Sequence, residues 1–122
     1  TGVRAFIFNR EMKIVGEAYE KIQVLYTGPS EVEENGEEIY RNSVKVCRDA
    51  VKKAGISAEE IASVGIAVQR LSWLFWDKET GKPLRNIVTW LDTRGVYQKQ
   101  KWIDDPDFNK LFPGLALLLS GS

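Results

Sequence analysis

GIAVQRLSWLFWDKETGKPLRNIVTWLDTR, residues 65–94, is the stretch from which the rest of the chain is read. Val64, Ile66 and Val68 are β-branched and alternate with Gly65 and Ala67, which predicts a strand with one bulky and one tight face. It ends in the polar pair Gln69-Arg70. Trp73, Leu74, Phe75 and Trp76 form an apolar run that predicts a second strand covered on both faces, with Trp73 and Trp76 as core. Residues 77–83 carry turn chemistry: Gly81 is free to take positive φ and Pro83 stops a helix. Ile87, Val88, Thr89 and Trp90 return as a third strand, which breaks at Asp92-Thr93-Arg94.

Upstream, Ala5, Phe6, Ile7 and Phe8 form a short apolar strand, and residues 9–13 a polar turn. Residues 13–26 read as one long strand, so the chain opens with a hairpin. A loop follows at Thr27-Gly28-Pro29-Ser30. Asn35 with Glu38 is a capping box, and the acidic cluster of residues 31–38 suits the positive end of a helix dipole, as a solvated helix start or, as the sharper reading, a cation site. The helix is expected over residues 36–54, with Ile39, Tyr40, Val44, Cys47, Ala50, Val51 and Ala54 on its apolar stripe. Lys52 and Lys53 suit its last turn and Gly55 its end. Cys47 on that stripe reads as a small buried apolar residue, because no histidine is present to activate it. Ser57 and Glu60 form a second capping box before a short helical turn through Ile61. Past Arg94, residues 95–103 read as a helix ended by Asp104-Asp105-Pro106, and Asp107 as the cap of a short helix over residues 108–112. A hairpin, a helical crossover and further strands make an α/β chain with a mixed sheet and helices packed on it.

Composition narrows the function. The chain has 122 residues, enough for one modest domain, and 17 basic against 17 acidic residues. That balance gives no electrostatic case for a nucleic acid or an anionic membrane as partner. One cysteine and no histidine exclude an internal disulfide, a histidine-based triad and a histidine-ligated metal within these residues. The reduced cytoplasm is the expected compartment. No apolar run is long enough to span a bilayer, and the opening residues lack the layout of a signal peptide.

Three blocks of the opening stretch resemble the FGGY family of carbohydrate kinases, and its glycerol kinase branch in particular. They are the strand end Gly65, Ile66, Gln69, Arg70; the turn Trp76, Asp77, Thr80, Gly81, Lys82, Pro83, Leu84; and Asn86, Trp90, Asp92, Arg94. Pro29, Val32 and Glu33 match a further run of that branch, and Tyr40 matches it in aromatic character only. The resemblance implies a ribonuclease-H-like (actin-like ATPase) fold, with residues 1–122 a partial N-terminal kinase domain that lacks the start of the phosphate loop and the C-terminal domain. It implies transfer of the ATP γ-phosphate, with Mg2+, to a hydroxyl of glycerol or a related polyol or ketose. The base and the adenine pocket would lie outside this chain, so no catalytic residue is expected in it and the isolated chain should be silent.

By the same resemblance, Thr1 and Arg4 belong to the tail of the phosphate loop. The plainer reading of Arg4 is a surface cation. Arg70 and Trp90 line the acceptor pocket, where an arginine fork donates to two hydroxyls and an indole makes an apolar wall. The plainer readings are a salt-bridged strand-end arginine and a core tryptophan. Leu71 stands where the family has a glutamate, and no tyrosine follows Gly114-Leu115 where the family has a second substrate contact. Those departures put glycerol itself in question. They motivate a second reading, a kinase-like sensor or interaction protein that kept the fold and lost the site. Asp92 and Arg94 are expected to pair as local support. The full protein is expected to be a homo-oligomer, and Leu115, Leu117, Leu118 and Leu119 to pack either on another copy or on the rest of the protein.

Overall fold

The computed structural model describes residues 2–120. Two antiparallel strands, β1 (Gly2–Phe8) and β2 (Ile14–Lys21), make a hairpin with Arg4 opposite Tyr19 and Phe6 opposite Glu17. Its turn is tied by Asn9, whose Oδ1 accepts from the amides of Glu11 (3.1 Å) and Lys13 (3.0 Å). Helix α1 (Gly36–Ala54) lies across one face of this hairpin. Ala18, Val46 and Ala50 are the buried centre of that contact, with Val3, Ala5 and Ile7 packed around them. Gly16 permits the approach: a Cβ there would stand 2.3 Å from the Ala50 carbonyl oxygen and 2.9 Å from Ala54 Cβ. The opposite face, with Phe6, Phe8 and Tyr19, is exposed.

The close approach at Gly16 fixes which side of α1 points inward. The buried pair is Val46 and Ala50, while Tyr40 and Cys47 are exposed, so the stripe is rotated from the one read off the sequence. Cys47 is therefore a surface thiol and not a core residue. The helix bounds and caps do follow the sequence: Asn35 Oδ1 accepts from the Glu38 amide at 3.0 Å, and Gly55 ends the helix at φ 68°. Glu38 does not reach back to Asn35. Its carboxylate takes the Gln23 amide at 3.4 Å. Ser57 and Glu60 do close a box, the Ser57 amide donating to Glu60 Oε1 at 2.8 Å.

A second sheet has the order β3 (Val24–Gly28), β4 (Glu31–Glu34), β5 (Ile87–Val88), antiparallel throughout. The long strand expected over 13–26 is thus two strands, broken where Ile22 turns into the interior at 2% exposure. The acidic residues 31–34 form the central strand and do not start a helix.

The strand expected over residues 64–68 is not formed. Alternation supplies the side chains for a strand, but a strand also needs a ladder to satisfy its amides. Neither sheet extends to these residues, and Val64, Ile66 and Val68 are exposed. Residues 73–76 pair only at isolated bridges, Trp73 with Val88 and Trp76 with Pro83, and Trp73, Phe75 and Trp76 are exposed rather than core. The turn between them is well built: Asp77 Oδ1 accepts from the Thr80 amide (2.7 Å), the Thr80 hydroxyl (2.8 Å) and the Glu79 amide (3.1 Å), and Gly81 takes φ 70°.

Three short helices follow: α2 (Val96–Ile103), α3 (Pro106–Leu111) and α4 (Pro113–Ser120). Asp105, not Asp107, caps α3, accepting from the amides of Asp107 (2.9 Å) and Phe108 (3.2 Å) with Pro106 in the first turn. Trp102 of α2 stacks on Phe108 of α3, ring centroids 5.8 Å apart.

Candidate functional site

The last residues of β5 and the segment before Trp73 run side by side. Trp73 and Val88 exchange both backbone hydrogen bonds at 3.0 Å. Followed outward from that bridge, one chain leads through Ser72 to Leu71 and Arg70, the other through Thr89 to Trp90. This brings two turns, 70–71 and 90–91, to one end of the sheet. Arg70, Leu71 and Trp90, which the sequence singles out, therefore share one rim, and all three are exposed. Arg70 has no ion-pair partner among the described residues. Trp90 is 59% exposed and is not a core residue. Leu71 sits at φ 58°, the left-handed region, which costs a branched residue about 1 kcal/mol.

Hydrogen bonds join the two turns. The Trp90 amide donates to Ser72 Oγ at 3.1 Å, and Gln69 Nε2 donates to the same oxygen at 2.7 Å. Gln69 Nε2 also donates to Glu34 Oε2 at 3.2 Å, and Glu34 is 2% exposed in the central strand.

Beneath the rim lies an ionic network. Arg94 donates through Nη2 to Glu33 Oε1 (2.7 Å) and Asp92 Oδ2 (2.7 Å), and through Nε to both Asp92 oxygens (2.8 and 2.9 Å). Arg85 (3.1 Å) and Asn86 (3.0 Å) also donate to Glu33, and the Val32 amide donates to Asp92 Oδ2 at 2.8 Å. The pairing of Asp92 with Arg94 expected from the sequence is present. The guanidinium of Arg94 holds the Asp92 carboxyl at about 2, below the ordinary carboxylate value, and raises its own affinity for a proton in return. Arg94, with Asn86 and Arg85, also lowers the Glu33 carboxyl. The network bolts the residues after β5 to the middle of β4, so Trp90 leaves from a fixed point.

The residues expected on the phosphate side, Thr1 and Arg4, are not part of this arrangement. Thr1 lies outside the described residues. Arg4 is on the exposed face of the hairpin, its Nε 3.6 Å from Glu17 Oε1 and its guanidinium over the Tyr19 ring at 5.1 Å. A groove of about 640 Å3 lies between β4, the start of α1 and residues 82–86, and it includes none of Arg70, Leu71 or Trp90. Among the described residues, no group of three or more histidine, cysteine or acidic side chains could hold a metal ion.

Sequence reading missed the parts played by Glu33, Glu34 and Ser72. Two signals pointed toward them. The N-cap Asn35 places residues 31–34 before the helix, and the turn residues at 27–30 between Val24-Leu25-Tyr26 and Val32 have the form of a hairpin. Glu33 and Glu34 are then strand residues, and in a central strand they are buried and need partners. Ser72 carried no signal of its own.

Comparison with known proteins agrees with this architecture. The model of the FGGY family of carbohydrate kinases, N-terminal domain, matches residues 1–120. A glycerol kinase of Trichormus variabilis is 46% identical over 94 residues, which are 77% of this chain and 19% of that protein. One of Haloferax volcanii is 40% identical over 94 residues, 77% of this chain and 18% of that protein. The crystal structure of Plasmodium falciparum glycerol kinase with ADP superposes with a TM-score of 0.68 at 24% identity, covering 83% of this chain and 20% of that one, a likeness of fold. The chain thus spans about a fifth of the length of the relatives it matches. With nearly its whole length matched by the family model, this chain belongs to the FGGY family of carbohydrate kinases.

Proposed function

We propose that the chain is the acceptor-binding part of an ATP-dependent polyol or sugar kinase, a partial N-terminal domain of ribonuclease-H-like fold within a longer cytoplasmic, homo-oligomeric enzyme. The reaction moves the ATP γ-phosphate to a hydroxyl of glycerol or a related polyol or ketose. One observation supports this reading: Arg70, exposed and without an ion-pair partner among the described residues, and the exposed Trp90 lie in two turns joined through Ser72 Oγ. A planar guanidinium donates to two neighbouring hydroxyl oxygens, and an indole face covers the carbon skeleton between them. The backbones of both turns are tied to the second sheet through Gln69 and Ser72, which limits the backbone order to be gained when the acceptor binds.

Leu71 tunes the selectivity of that rim. It offers no oxygen for a hydroxyl proton, so an acceptor that presents carbon at that place is favoured over one that presents a hydroxyl. Thr1 and Arg4 are the phosphate-side residues in this reading, with Arg4 exchanging Glu17 for the nucleotide. ATP brings the transferable phosphoryl group, and Mg2+ would neutralise its charge.

The test is ADP release by the full-length protein over a panel of glycerol, longer polyols and ketoses. Acceptor-dependent turnover is expected. Folded protein that turns over with no member of the panel would overturn the reading and return the sensor alternative.

A further inference from the structure

The rim residues are held by groups that do not themselves face an acceptor. Gln69 and Ser72 flank the two-residue turn that carries Arg70 and Leu71. Gln69 Nε2 has two hydrogens and both are used, one on Ser72 Oγ at 2.7 Å and one on Glu34 Oε2 at 3.2 Å. Glu34, 2% exposed in the central strand, is a fixed post. Ser72 Oγ takes a second donor, the Trp90 amide at 3.1 Å. The Trp73–Val88 backbone pair closes the ring. One hydroxyl thus ties the Arg70 turn to the Trp90 turn, and one amide ties both to β4. Leu71 at φ 58° is the strained member of that turn, and strain of this kind persists only where the surroundings over-determine the backbone.

We propose that Gln69 and Ser72 are positioning residues for the acceptor: a clamp, anchored on Glu34, that sets the distance between the Arg70 guanidinium and the Trp90 indole and so selects acceptor shape. The proposal rests on the kinase reading of the rim. Without the clamp the turn relaxes out of the left-handed region, and Arg70 and Trp90 move independently. The acceptor then has to order both, which weakens its binding and leaves the nucleotide untouched.

Two measurements on the full-length protein test this, each on Gln69→Ala, Ser72→Ala and Ser72→Thr. The first is amide hydrogen exchange at Trp90, which needs no turnover. Exchange about tenfold faster in Ser72→Ala, with wild-type protection restored in Ser72→Thr because the hydroxyl returns, is the expected result. Unchanged exchange in Ser72→Ala overturns the clamp. The second is steady-state kinetics with the best acceptor. Gln69→Ala and Ser72→Ala should raise the acceptor KM about tenfold with the KM for ATP unchanged, and Ser72→Thr should recover it. A merely structural role would lower the active fraction and move neither KM, and that result overturns the positioning role. A folded wild type without turnover overturns the acceptor reading, and exchange at Trp90 then reports separately on the clamp.

Discussion

Replacing Arg94 by alanine removes the cation shared by two nearly buried carboxylates. The Asp92 side chain is 2% exposed and that of Glu33 10%, and each loses a contact of 2.7 Å. Breaking a buried pair by deleting one partner costs about 3–5 kcal/mol, because the remaining charge is left uncompensated. Here the loss is softened. Glu33 keeps Arg85 at 3.1 Å and Asn86 at 3.0 Å, and Asp92 keeps the Val32 amide at 2.8 Å. Arg94 itself is partly exposed, so solvent offsets part of the rest, and a local opening equilibrium raised roughly tenfold is expected. Native-state hydrogen exchange in the full-length protein reads it at two amides: Val32, which donates to Asp92, and Thr89, which donates to the Val32 carbonyl at 3.1 Å. Adding Asp92→Asn to Arg94→Ala should recover part of the loss, since a neutral amide tolerates the same site. Exchange within threefold of wild type at both amides in the single variant would refute the claim that this network fixes the rim.

Gly16→Ala should destabilise the hairpin–helix contact by about 1–3 kcal/mol, because its Cβ meets backbone at the Ala50 carbonyl and α1 has to shift; thermal unfolding measures it. Acid should weaken the network in a defined window. The folded Asp92 carboxyl titrates at about 2 against an ordinary value of 3.8, so its contribution of up to about 2 kcal/mol is fully present above pH ~4 and is lost as pH falls toward ~2. Protection of the Val32 amide against pH reads this directly, and Asp92→Asn should flatten the profile.

Local chemistry was legible in the sequence where it is self-contained. The bounds of α1, its Asn35 cap, its Gly55 end, the Asp77 turn and the Asp92–Arg94 pair all depend on residues close in sequence. What depends on long-range pairing was not. The residues around Ile66 alternate correctly for a strand and find no partner ladder. Glu33 and Glu34 look like surface acids until β3 and β5 flank them on both sides. Cys47 and Val46 trade places on α1 because a glycine thirty residues upstream lets the helix settle on the Val46–Ala50 side. The site divides in the same way. Arg70, Leu71 and Trp90 stand out in the sequence through the family resemblance, while the ties through Ser72 and Glu34 required three separate segments to be brought together.

The central claim is that Arg70 binds the acceptor and not the nucleotide. Its direct test is the acceptor kcat/KM of the full-length protein with Arg70→Ala. Loss of two charge-assisted hydrogen bonds predicts a fall of at least about a hundredfold, with the KM for ATP unchanged. An acceptor kcat/KM within a few fold of wild type, or a fall confined to the KM for ATP, would contradict the account.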